Sequence, residues 1–452
     1  MRKKEIIKNA YFLGLTIFIS KIIGALYRIP LTNLLGARGI GIYQVIFPVY
    51  CIILDFSAVS APNAVAKIIS SYRGEDREEF SVGILKTALR LFFFLGIVFS
   101  VLLVIFSKAI ADLQGEKNAY LGYIFIAPAI VGTSLICAFR GYFQGLSDYR
   151  PTAFSQISEQ LIKLVFGLIF VKLFSFNITT MVAGATLGVS FSEIITFFIM
   201  YAVFKKRRLN NGADYRFSKN FYKVWQKVLV KTAIPISLVG IALPLSHFID
   251  SFLIINIINK YADNGTVLFG LLTGSATTII NLPVSVCYGI SSVAVPSVSG
   301  ANDDEKEKNV KTLLVLTAVI SFVFAFFIYL FSDFAVKIVY RGLTDYEKAI
   351  TARLIKITSV NVFFTSLIQT ENSVLIGKGK LYTPLFVLSF AVIMKTVLEI
   401  ILINNPSLNI YGSAYSLITC YFFASLVNLI IISGNKNYAN KKYKNRRLYC
   451  GE

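Results

Sequence analysis

Charge is scarce along this chain, and acidic charge is scarcest. Of 452 residues only 15% are charged, with 24 Asp and Glu against 45 Lys and Arg. Soluble domains carry about 25% charged residues, so an ordinary water-facing surface over the whole fold is excluded. One histidine and five scattered cysteines leave neither a Cys/His metal cluster nor a disulfide framework to organise the molecule. The longest hydrophilic stretch, residues 205–229, is too short for a catalytic domain and holds no His/Asp/Glu cluster. That argues against a membrane-embedded glycan transferase or polymerase, and the expectation is a protein that is not an enzyme. What is abundant is apolar: 56% hydrophobic and 14% aromatic residues, with a mean hydropathy of +0.68.

A helix crossing the hydrocarbon core needs about 20 mostly apolar residues. Residues 312–331, TLLVLTAVISFVFAFFIYLF, supply such a run with no charge at all. The same pattern recurs near 10–34, 40–69, 84–106, 119–140, 152–174, 181–204, 230–258, 267–297, 311–332, 348–376, 383–404 and 411–433. It predicts an all-α polytopic membrane protein with about twelve transmembrane helices. The basic MRKK start has the look of a signal peptide, but Lys21 and Arg28 interrupt the run that follows and no small-residue cleavage pattern appears. Lysine and arginine concentrate in one alternating set of loops, nine of them within residues 205–231. By the positive-inside rule both termini are then cytoplasmic, and the net charge of +21 needs no nucleic acid to explain it. The run Lys205-Lys206-Arg207-Arg208 and the tail KKYKNRR are placed to touch anionic lipid heads.

The hydrophilic stretch divides the chain into six-helix lobes, 1–204 and 230–433, joined by a basic cytoplasmic linker at 205–229 and followed by a basic tail at 434–452. A partial repeat supports two lobes of like orientation. GYFQGLSDYRPTAFSQISEQLIKLVFGLIF follows the fourth span and NSVLIGKGKLYTPLFVLSFAVIMKTVLEIIL the tenth. Gly145 matches Gly377, Pro151 matches Pro384 after a one-residue insertion, and Lys163 matches Lys395.

A charge at the centre of a span costs about 2.5–3.5 kcal/mol on insertion scales, so each is a candidate functional group. Lys21 and Arg28, two turns apart, share a face of the first helix. They line a cavity, or snorkel, or pair with a carboxylate such as Asp55. Glu159 with Lys163 and Lys395 with Glu399 are opposite charges four apart. Each pair neutralises itself, or the two lysines, one per lobe, make a cavity positive. Asp55, Glu159, Glu193, Asp250, Glu371 and Glu399 are the acids within spans. His247, one turn before Asp250, reads as a packed polar ring. Asp303-Asp304-Glu305 sits among lysines and reads as a solvated loop rather than a metal site.

SKIIGALYRIPLTNLLGARGIGIYQVIFPVY and APNAVAKIIS in the first half resemble the stage V sporulation protein B and polysaccharide-exporter family. So do AIPISLVGIALPLSHFIDSFLI, LPVSVCYGISSVAVPSVSG and ENSVLIGKGKLYTPL in the second. These proteins are related to the lipid II flippase MurJ, in the multidrug/oligosaccharidyl-lipid/polysaccharide (MOP) superfamily. Members near MurJ have fourteen helices against the twelve expected here, which keeps a general oligosaccharide-lipid flippase open beside a dedicated lipid II flippase. The resemblance implies a cell-membrane flippase for a lipid-linked anionic glycan carried on undecaprenyl pyrophosphate, with Lys21, Arg28, Lys163 and Lys395 drawing in the pyrophosphate. It implies no cofactor beyond coupling to sodium or protons, with Asp250 and Glu399 as the coupling acids by position. The competing expectation is a multidrug/cation antiporter, for which a cationic first helix is ill suited.

Overall fold

In hydrocarbon no water is at hand for the peptide groups, so an apolar segment pairs them internally as a helix. The computed structural model describes residues 3–449 save 60, 73, 75, 210–214, 216, 300–302 and 381, and all regular structure among them is helical. The first element, α1 (Lys3–Leu54), contains Pro30 and Pro48 and breaks at Gly36, whose φ of 66° and ψ of −178° leave the helical region. A positive φ of that size suits glycine, which has no Cβ to clash. The break turns one long helix into two spans. The second continues through a π-helical turn at Asp55–Val59 into α2 (Ala61–Ser71).

Four helices then follow in close succession: α3 (Arg77–Leu113), α4 (Tyr120–Gly145), α5 (Arg150–Leu173) and α6 (Ile178–Leu209). Next come α7 (Lys219–Gly240), α8 (Ala242–Ile258), α9 (Gly265–Phe269), a π-helical stretch Gly270–Ala276 and α10 (Thr277–Ser299). The chain continues as α11 (Asp303–Val339), α12 (Asp345–Thr358), α13 (Val360–Gly377), α14 (Thr383–Ile403) and α15 (Ile410–Tyr449). Among the described residues nine helices are long and apolar enough to cross a membrane. Gly36 divides one of these. Two further paths, α7 with α8 and α12 with α13, are pairs of shorter helices that carry Lys223, Lys227 and Lys231, and Lys348, Arg353 and Lys356. Counted so, the expected twelve spans are present.

The lipid-facing sides identify themselves. Phe93, Phe94, Val101, Ile105 and Phe106 of α3 are exposed, as are Phe322, Phe326, Phe327 and Phe334 of α11. Apolar surface on that scale is not left in water by a soluble monomer. The chain is a multi-pass membrane protein.

Two compact units divide it, residues 1–278 with 335–351, and residues 279–334 with 352–452. The division differs from the expected lobes, because residues 219–278 pack with the first six spans. In the first unit α4 lies against α3 and α6, α5 against α6, and α1 against α5, α8, α9 and the π-helical stretch. The approach is close: a Cβ on Gly41 would fall 2.1 Å from the Thr266 carbonyl oxygen. Polar bonds line this seam. Gln114 Nε2 donates to Ser251 Oγ (2.9 Å), Thr266 Oγ1 to Glu116 Oε2 (2.7 Å), Gln44 Nε2 to the Thr273 carbonyl (2.7 Å) and Asn33 Nδ2 to the Val339 carbonyl (2.8 Å). In the second unit α15 packs on both α13 and α14.

The stretch expected as a linker is not a free tether. α6 runs on to Leu209, and Ser218 caps α7 by accepting from the Phe221 amide (3.1 Å). Phe217, Phe221 and Trp225 pack on the cluster around Phe80, with the Trp225 and Phe80 rings edge to face at 4.9 Å. Lys86 Nζ donates to the Tyr215 carbonyl (2.8 Å), and Arg90 lies 3.9 Å over the Tyr222 ring. Residues 210–214 of this stretch, and the side chains of Arg208, Asp303, Asp304 and the tail from 435 onward, lie outside the described residues.

Candidate functional site

Charged residues within the first unit gather where α1, α4, α5 and α6 meet. Arg28 is half-buried in α1, two residues before Pro30. Its carbonyl accepts from Thr32 Oγ1 (2.9 Å), and its guanidinium forms no ion pair with a described residue. Tyr27, Tyr43, Tyr340, Cys51 and Lys163 lie within its electrostatic range. Lys163 of α5, also half-buried, is within range of Glu159, Glu193 and Arg28. It makes no ion pair within 4 Å among the described residues.

Of the two alternatives for Glu159 and Lys163, a self-neutralised pair is not the one found, since no ion pair joins them within 4 Å. Arg140 of α4 takes Glu159 instead, Nη2 to Oε2 at 2.8 Å, while Arg140 Nε donates to Ser155 Oγ at 2.9 Å. Both side chains are largely buried, 12% and 15% exposed. Sequence reading placed Arg140 in a cytoplasmic loop, but α4 runs five residues beyond it. Beside this pair, Glu193 of α6 is 5% exposed, with Thr133 against its carboxyl and Oε2 without a hydrogen-bond partner. Tyr50 completes the group, its hydroxyl 3.1 Å from Thr133 Oγ1. The arrangement holds two cations without an acid in direct contact, one neutralised pair and one deeply buried acid. A cation in such a place is stabilised by an anion or by water, since burial alone is costly.

The remaining charges lie apart from this cluster. Lys21 is exposed on α1. Asp55, in the π-helical turn, faces Gly240 of α7 and forms no ion pair with Arg28. Asp250 is buried in α8 with His247 Nδ1 at 3.8 Å; His247 is itself exposed rather than packed.

In the second unit Lys395 and Glu399 do pair along α14, at 3.8 Å, both buried. Ser413 Oγ donates to Glu399 Oε1 at 2.5 Å. Asp250 and Glu399 thus belong to different units. Glu371, in α13, is 0% exposed and accepts from Ser425 Oγ at 2.7 Å. Arg353 lies 4.6 Å over the Tyr411 ring, and Lys356 pairs with Asp333 at 2.6 Å.

This helical architecture is the fold of the MOP-superfamily transporters. The chain is similar to a multidrug resistance MATE transporter of that superfamily in its inward-facing conformation, with a TM-score of 0.72 and 18% identity over 94% of this chain and 99% of that one. It is similar also to the lipid II flippase MurJ in an inward closed conformation, with a TM-score of 0.69 and 16% identity over 93% and 87% of the two chains. Among curated relatives, stage V sporulation protein B of Bacillus subtilis (strain 168) is 22% identical over 446 residues, covering 96% of this chain and 84% of that protein. Residues 6–301 match the family described as polysaccharide biosynthesis protein. The chain belongs to that family.

Proposed function

We propose that the protein is a flippase, not an enzyme, that moves a lipid-linked anionic glycan across the cell membrane by alternating access. The carrier in this reading is undecaprenyl pyrophosphate. The observation that carries it is Arg28, an intramembrane guanidinium with no ion pair among the described residues and with Lys163 inside its electrostatic range. A pyrophosphate supplies the missing counter-charge, and a planar guanidinium binds two of its oxygens at once. Lys21 lies two turns away on the same helix and extends the positive track, whereas Lys395 is neutralised by Glu399 in this conformation. Coupling to a sodium or proton gradient belongs to the same proposal, with Asp250 and Glu399 as its acids and both termini in the cytoplasm.

The test is transfer of a lipid-linked oligosaccharide in depleted cells complemented by each variant. Arg28→Ala abolishes transfer at normal membrane abundance. Arg28→Lys keeps part of it, since it retains charge and loses the fork. Full transfer by Arg28→Ala overturns the reading. A second reading, a cation or drug antiporter, draws on the TM-score of 0.72 to a multidrug transporter and on the buried Glu193. It predicts that Glu193→Gln, and not Arg28→Ala, removes activity.

A further inference from the structure

Helices α1 and α5 pack together inside the first unit, and their registers advance in step. A Cβ on Gly24 would meet Gln160 Oε1 at 3.3 Å, and one on Gly167 would meet the Tyr27 hydroxyl at 2.6 Å. Ser20, Gly24 and Arg28 recur every four residues of α1 and so share a face. On α5 the matching run is Gln156, Gln160 and Lys163. A seam that served packing alone would be apolar or small on both sides. Two amides stand there instead, and an amide away from water is costly unless it is hydrogen-bonded.

A second polar face of α5 is already engaged. Ser155 and Glu159 turn to Arg140 of α4. Glu159 Oε1 also accepts from Gln160 Nε2 at 3.1 Å. A carboxylate only accepts, so the NH2 of Gln160 is the group that faces it, and Oε1 is left turned to α1 over Gly24. One turn nearer the helix starts, Gln156 Oε1 and Ser20 Oγ are buried with no hydrogen-bond partner. As whole residues Ser20, Gln156 and Gln160 are half-buried rather than sealed. At 1.5 Å per residue, each lies within about 12 Å of Arg28 or Lys163 along its own helix.

These three side chains are neutral, so they add nothing to the pull of Arg28 and Lys163 on an anion. A sugar hydroxyl suits them, because it donates and accepts at once, as an amide and a serine hydroxyl also can. We infer that Gln156, Gln160 and Ser20 bind the sugar joined to the pyrophosphate, and so select the glycosylated lipid over the bare one. This sugar site rests on the flippase reading, in which Arg28 and Lys163 hold the pyrophosphate.

The experiment reads binding of two lipids that differ only in the sugar. Full-length protein in detergent is titrated with undecaprenyl pyrophosphate and with the same lipid carrying one hexose. The wild type binds the glycosylated lipid more tightly. Gln156→Leu and Gln160→Leu, which keep the side-chain bulk, each weaken that binding by roughly tenfold, the scale of a hydrogen bond whose partner is left unmade. Affinity for the bare lipid stays, so the two lipids converge; Gln160→Asn, which keeps an amide on a shorter arm, retains part of the difference. Variants that weaken both lipids alike show that the amides only join α1 to α5, and overturn the site. Equal wild-type affinity for the two lipids overturns it as well, while the pyrophosphate reading stands. Arg28→Ala loses both lipids. If the wild type binds neither, the pyrophosphate reading falls and the sugar site with it.

Discussion

Lys163 and Lys395 stand at matching points of two similar turns, twelve and eleven residues beyond a proline at the start of a helix. Each has a glutamate four residues away. In the second unit the pair closes on itself; in the first it does not, although glutamate preceding lysine, as there, is the more favourable order for an isolated helix. The difference lies on the preceding helix. Five residues before the matched glycines, α4 has Arg140 where α13 has Asn372. A guanidinium at 2.8 Å, supported by Ser155, takes Glu159 and leaves Lys163 to the shared space with Arg28. An asparagine cannot compete in this way, so Lys395 keeps Glu399. One residue on a neighbouring helix thus decides whether a charge pair repeated in both halves closes on itself.

The largest expected effect follows from removing the competitor. Arg140→Met strands the buried Glu159 and costs about 3–5 kcal/mol, as breaking a buried pair does. Thermal unfolding in detergent shows it as a lower Tm. Arg140→Met with Glu159→Met recovers most of the loss. If the single variant is as stable as wild type, the pair is not what distinguishes the two turns. Next in size is the contrast between the lysines. Lys395→Met removes the cation beside the buried Glu399 and destabilises by a few kcal/mol. Lys163→Met changes Tm less and lowers transfer of a lipid-linked substrate more. Equal stability losses would erase the comparison. The smallest effect tests where the turns agree. Pro151→Ala and Pro384→Ala, both in the first turn of a helix, each cost less than about 1 kcal/mol through the unfolded chain. A much larger loss at one of them alone would say the two turns are not built alike.

The spans were readable because hydrocarbon imposes length and composition directly: no expected span is missing, and most helix ends fall a few residues beyond the apolar runs. α3, α11 and above all α15 overshoot further, because helical continuation into water depends on propensity and capping rather than hydropathy. The candidate charges were readable one by one, since a charge in a span is conspicuous. Their partners were not. Glu159 meets Arg140 from nineteen residues away, and Arg140, close to an apolar run's end, reads as a loop residue. Gln114 with Ser251 and Glu116 with Thr266 are uncharged or lone polar residues, ordinary in sequence and joined only by the fold. The docking of Phe217, Phe221 and Trp225 carried a signal, five aromatics (with Tyr215 and Tyr222) in a basic stretch, that the charge count outweighed.

The seam that α1 and residues 114–116 make with residues 251–273 and Val339 has one more consequence, for the meaning of a salt titration. Its bonds run from amides and hydroxyls to carbonyls, a hydroxyl and one carboxylate, and none joins two opposite charges. Screening over a Debye length of about 8 Å at physiological ionic strength weakens attraction between separated charges and leaves such contacts nearly unchanged. Raising salt therefore dulls the pull of Arg28 and Lys163 on a distant anion without loosening the seam. Ionic strength becomes a clean dial: whatever part of the turnover responds to it reports how the proposed anion is drawn in, because the bonds that hold the seam do not respond.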